Sequence, residues 1–127
     1  MPRPITAAIH MGALRHNLQV MREAAKGHTL WAVVKANAYG HGLLRAARAF
    51  ESADGLALID LCDAQKLREN GWKKRILLLE GFFDETDIAL LEKYDIETIV
   101  HNRHMIDMLK AHAPYSSLKV HIKINSG

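Results

Sequence analysis

The chain has 127 residues, 49% of them hydrophobic and 24% charged, enough for one domain that buries roughly two-thirds of its unfolded surface. Its net charge of +3 comes from scattered lysines and arginines with no basic run interleaved with aromatics, which excludes a typical nucleic-acid partner. One cysteine, Cys62, precludes an internal disulfide, and no stretch resembles a signal core or a membrane span, so the expected setting is cytoplasmic with no membrane partner.

Residues 5–9, ITAAI, alternate larger and smaller side chains and predict a short strand. MGALRHNLQVMREAAKG follows, with Leu14, Leu18 and Met21 at helical spacing and Gly27 as the expected stop. A regular rhythm then begins. LWAVVK, residues 30–35, reads as a strand, and residues 41–53 as a helix with Leu43, Leu44, Ala47 and Phe50 on one face. GLALI is the next strand, residues 61–70 the next helix, and RILLLE at 75–80 the strand after it. The acidic run DETD opens a helix to residue 93, where negative charge complements the helix dipole. ETIV is a strand, Asn102 a candidate N-cap, residues 103–112 a helix with Met105 and Leu109 on its buried face, and LKVHIKI a last strand.

Five apolar runs therefore alternate with four amphipathic helices at intervals of about twenty residues, the pattern of a parallel sheet covered on both faces. Two α/β folds compete, an open doubly wound sheet and a partial (β/α)8 TIM-type barrel. A whole barrel takes about 250 residues, so this chain would be roughly half of one. In both folds the working groups lie at the C-terminal ends of the strands, and Lys35 stands at that end of the first strand of the series.

An apolar strand end is a costly place for an ammonium group, because burial disfavours the charged form. The same desolvation yields the neutral amine that a nucleophilic or Schiff-base lysine needs. Tyr39 follows, with Gly40 and Gly42 permitting a tight turn, so its hydroxyl is within reach of a ligand held at Lys35. On spacing alone, a solvated or ion-paired lysine explains Lys35 as well.

The full string AVVKANAYGHG, residues 32–42, closely resembles the pyridoxal-phosphate attachment signature of the alanine racemase family. ALRHNLQVMR is similar to that family's first helix, LRENG and ILLLEGFF to its following segments, and IETIVHN and HIKINSG to its next strand and the lead-in to an M-x-R-L-G segment. The likeness spans nearly the whole chain but only the N-terminal third or so of a family member.

The resemblance implies the N-terminal part of a pyridoxal-phosphate-binding barrel domain. Residues 1–10 would pack with a C-terminal β-domain absent here, and the rest of the barrel would also be missing. It implies a homodimeric isomerase that interconverts L- and D-alanine and supplies D-alanine for peptidoglycan. Lys35 would carry pyridoxal 5'-phosphate covalently and act as the base for the Cα proton of the D-enantiomer, and Tyr39 would bond the cofactor phosphate. Lys123 matches a lysine that some members carry as a carbamate, although the family's more usual aspartate two residues on is here Asn125. An ordinary strand-end lysine remains the alternative for Lys123. The second catalytic base, a tyrosine from the partner subunit, lies outside this chain, so the chain alone is expected to be inactive.

The alternatives are a broader-specificity or serine racemase, a fold-related decarboxylase of basic amino acids, a pyridoxal-phosphate-binding barrel without catalysis, or a truncated product without function. No metal is expected. His101 and His104 lack a cysteine or acidic cluster beside them and read as surface histidines. His41 and Asn37 read as turn formers, Cys62 as a buried or half-buried thiol, and Trp31 and Trp72 as packing residues.

Overall fold

The computed structural model describes residues 3–112 and 118–127. After helix α1 (Met11–Ala24) come β1 (Trp31–Val33), a short helical element α2 (Lys35–Tyr39), and α3 (Leu43–Ala49). Then β2 (Gly55–Leu58), α4 (Leu61–Glu69), β3 (Arg75–Leu78), α5 (Glu85–Lys93), β4 (Glu97–Val100), α6 (Arg103–Ala111) and β5 (Val120–Ile122) alternate to the end.

All five strands are parallel and lie in the order β1-β2-β3-β4-β5. A doubly wound sheet reverses its strand order at a switch point, and this one never does. Right-handed crossovers that always step the same way place every helix on one face and curl the sheet, which is the partial-barrel alternative.

The strand registers divide the side chains between the two faces. Leu56, Leu58, Ile76, Leu78 and Thr98 share the outer face, where a core forms with Ala46, Ala64, Leu67, Ile88, Leu91 and Met105. Trp31, Gly55, Ala57, Arg75, Leu77, Glu97 and His121 share the inner face. On β5 the outer-face residues Val120 and Ile122 remain exposed.

The helix starts follow the capping chemistry. Asp60 accepts from the Cys62 N–H, Asp84 forms a capping box with Asp87, and Asn102 accepts from the Met105 N–H at 2.9 Å. Arg68 ties three segments together by donating to the carbonyls of Tyr94, Trp72, Lys74 and Asp95. Burial lowers the Arg68 pKa from its ordinary value, opposed by the nearby Asp95 charge.

Several expectations are corrected. No strand forms at residues 5–9: the alternation there has no neighbouring strand to pair with among the described residues, and Ile5 is exposed. Residues 1 and 2 lie outside the described residues. The first strand of the series ends at Val33 instead of Lys35, because Val34, at φ −126° and ψ 21°, has left the β region. The helix expected over 41–53 spans only Leu43–Ala49, starting after Gly42 at φ 95°. The first helix stops before Gly27, with Ala25 at its C-cap, and its Met21 is exposed.

Candidate active site

The segment after β1 reverses its hand. Ala36, Asn37, Ala38, Tyr39 and Gly40 have φ of 51°, 54°, 54°, 53° and 88°, a left-handed helical turn built mainly from non-glycine residues. A left-handed conformation costs an L-residue about 1–2 kcal/mol, so the turn persists only because its surroundings enforce it. The Gly40 N–H donates to the Ala36 carbonyl and the Gly42 N–H to the Asn37 carbonyl at 2.9 Å. Asn37 Oδ1 accepts from the Leu43 N–H at 2.8 Å, His41 Nδ1 lies 2.9 Å from the Ala38 carbonyl, and Arg45 donates to the His41 carbonyl at 2.7 Å. The Val34 N–H bonds the Ala57 carbonyl of β2, and Val34 and Ala38 are buried in the core.

Lys35 is the first residue of this turn, half-buried at the C-terminal rim of the sheet. Tyr39 ends the turn, 61% exposed, so its hydroxyl is open to a ligand. Lys123 stands on the same rim, just past β5, with its backbone N–H on the Val100 carbonyl and its amine 3.4 Å from the Leu79 carbonyl, a long bond that holds it weakly. Lys35 and Tyr39 thus share one turn, whereas Lys123 sits beyond the far edge strand. The donors suit pyridoxal phosphate in kind: an amine for the aldehyde, and a phenol hydroxyl among turn residues for the phosphate.

At the opposite, N-terminal end of the strands the inner face carries a polar network that the sequence reading missed. Arg75 grips Glu97 with two bonds of 2.6 and 2.7 Å, and His121 Nε2 lies 2.7 Å from the other side of that carboxylate. The Arg75 guanidinium also stacks over the Trp31 ring at 4.6 Å. Burial pushes the Glu97 carboxyl up, but the hydrogen bonds from Arg75 and His121 outweigh it and hold the pKa below its ordinary value. The Glu97 bond correspondingly raises the Arg75 pKa. The available signal was a polar residue in each of three strands, Arg75 and Glu97 at the starts of β3 and β4 and His121 in the middle of β5. Because they lie on the floor, away from the rim, these groups belong to the scaffold.

The remaining candidates lie outside the Lys35–Tyr39 turn. Cys62 is exposed on α4, contrary to the expected buried or half-buried thiol, because it faces away from the sheet beside its cap Asp60. His101 and His104 are exposed at the start of α6. Trp31 and Trp72 both pack against the core, as expected.

Residues 9–127 match the family model described as alanine racemase, N-terminal domain. The whole chain is 51% identical to an alanine racemase of Janthinobacterium sp. (strain Marseille), of which it covers 35%. The fold superposes on the biosynthetic alanine racemase of Pseudomonas aeruginosa with a TM-score of 0.82 at 33% identity, over 87% of this chain and 31% of that one. A Bacillus anthracis alanine racemase solved with bound L-Ala-P matches with a TM-score of 0.81 at 29% identity, over 95% of this chain and 34% of that one. The chain therefore spans about a third of the length of the relatives it matches.

Proposed function

Since the chain belongs to the alanine racemase N-terminal-domain family, we propose that it supplies the lysine half of a pyridoxal-phosphate site that interconverts L- and D-alanine within a longer, homodimeric protein. The observation that carries this reading is Lys35, placed at the C-terminal rim of the first barrel strand at the start of a strained left-handed turn. Reactive groups of parallel α/β barrels sit at that rim, and backbone strain concentrates at functional sites.

In this reading Lys35 Nζ holds the cofactor, and Tyr39 offers its hydroxyl to the cofactor phosphate. Bound pyridoxal phosphate supplies the electron sink that acidifies the substrate Cα–H. Released when the substrate amine takes its place on the cofactor, Lys35 Nζ would remove the Cα proton on one face of the substrate as the free amine and return one as the ammonium so formed. Lys123, if carbamylated, would place a negative charge on the same rim. Racemisation also needs a proton donor on the opposite face, and the reading assigns that group to the partner subunit. Peptidoglycan supply and a cytoplasmic setting follow from the family's role.

Borohydride trapping with pyridoxal phosphate, followed by peptide mapping, tests the assignment. Label concentrated on Lys35 and lost in Lys35→Ala is the expected result, and label spread evenly over the lysines would sink it. A coupled assay should find no alanine racemisation by the 127-residue chain alone.

A further inference from the structure

We infer that Asn37 is a positioning residue for Lys35, holding the lysine in place by clamping the left-handed turn to helix α3. The inference rests on the reading of Lys35 given above. Asn37 joins two features that the other turn residues do not combine. Its own backbone is left-handed, at φ 54°, a conformation that asparagine tolerates better than most residues. Its side-chain Oδ1 meanwhile accepts from the Leu43 N–H, the first residue of α3, at 2.8 Å.

Gly42 stands at the N-cap position of α3 and has no side chain to cap with, so Asn37 reaches across five residues to do so. The Asn37 carbonyl accepts from the Gly42 N–H as well, which closes a ring from the turn onto the helix start. Leu43 is buried in the core, so α3 is a fixed support. Losing the Oδ1 bond frees the turn to relax toward the right-handed region that Ala36, Ala38 and Tyr39 prefer. A relaxed turn redirects the chain where Lys35 joins it, and the amine leaves the rim position. His41, through Nδ1 and the Ala38 carbonyl, supports the same ring from its other side.

A helix cap alone would stabilise α3 without any effect on lysine chemistry, and Asp60 provides the matching control. It caps α4 after the next strand by accepting from the Cys62 N–H at 2.8 Å. The test uses the 127-residue chain, with pyridoxal phosphate as the probe. Borohydride trapping and peptide mapping give the ratio of label on Lys35 to the mean over the other lysines, and amide hydrogen exchange at Leu43 reports the clamp without cofactor.

Asn37→Ala is expected to lower the labelling ratio at least fivefold and to speed exchange at Leu43 at least tenfold. Asn37→Asp, which keeps the acceptor, restores both, and Asp60→Ala leaves the labelling ratio unchanged. Equal loss in Asn37→Ala and Asp60→Ala, or an undiminished ratio in Asn37→Ala, would overturn the positioning role while leaving Lys35 as the attachment residue. An unselective unsubstituted chain would instead overturn the Lys35 reading, and the role of Asn37 with it.

Discussion

Trp31 on the first strand and His121 on the last meet edge to face, their ring centroids 6.0 Å apart at 81°. In a flat sheet, four strand spacings would hold these positions about 19 Å apart. The contact therefore measures the curl of the sheet. It also closes the floor network, since His121 and Arg75 both bond Glu97 and Arg75 stacks on Trp31.

Gly55 lies beneath the indole, and a Cβ there would fall 2.3 Å from a Trp31 ring carbon. The ring is wedged between β2 and the floor network, so it has little room to give. Gly55→Ala is expected to destabilise the chain by about 2 kcal/mol. A lowered urea midpoint with an altered tryptophan emission maximum would register it, and an unchanged midpoint would refute the close packing.

Glu97 makes stability depend on pH. Its folded pKa lies below the ordinary carboxyl value, so the pair's stabilisation is full above the unfolded value of about 4.3 and is lost as pH falls through the folded one. Asp54, held down chiefly by its hydrogen bond from Arg22, and Asp84, by that from Thr86, titrate in the same direction. The difference between the unsubstituted chain and Glu97→Gln isolates the one group. At pH 7 that substitution should cost about 2 kcal/mol, and the gap should narrow steadily below pH 4.

Arg68 should not accept lysine. Its planar head serves four carbonyls, those of Trp72 and Lys74 in the loop between α4 and β3 and those of Tyr94 and Asp95 in the turn after α5. A lysine ammonium has three donors and no fixed fork. Arg68→Lys is expected to lose about 2 kcal/mol by chemical denaturation, and retention of full stability would show that the fork geometry is dispensable.

The β5 edge should drive association. Ile122 and Ile124 are 84% and 83% exposed, and β5 pairs only with β4 among the described residues. Open parallel edges and bare apolar faces recruit further chains. Sedimentation velocity should find oligomers at micromolar concentration that shift toward monomer in the Ile122→Lys, Ile124→Lys double variant.

The alternating elements were legible because strands buried on both faces leave continuous apolar runs, as in GLALI and the ILL of β3, and because caps such as Asn102 are local signals. Local pattern could not show that residues 5–9 lack a strand partner. Nor could it show that Glu97 and His121, 24 residues apart, become neighbours, which depends on the register of β4 with β5. The position of Lys35 near the C-terminal end of the first strand was legible from the strand rhythm. Its backbone setting was not, since nothing in alanine or tyrosine propensity announces a left-handed turn.

That turn has a stereochemical consequence. At φ 51° and 54°, Ala36 and Ala38 occupy the conformation natural to D-amino acids. Assembled by chemical ligation with D-alanine at those two positions, the chain would exchange an enforced backbone for a preferred one. Mirror-image building blocks would then strengthen the turn that they disrupt in an ordinary right-handed helix.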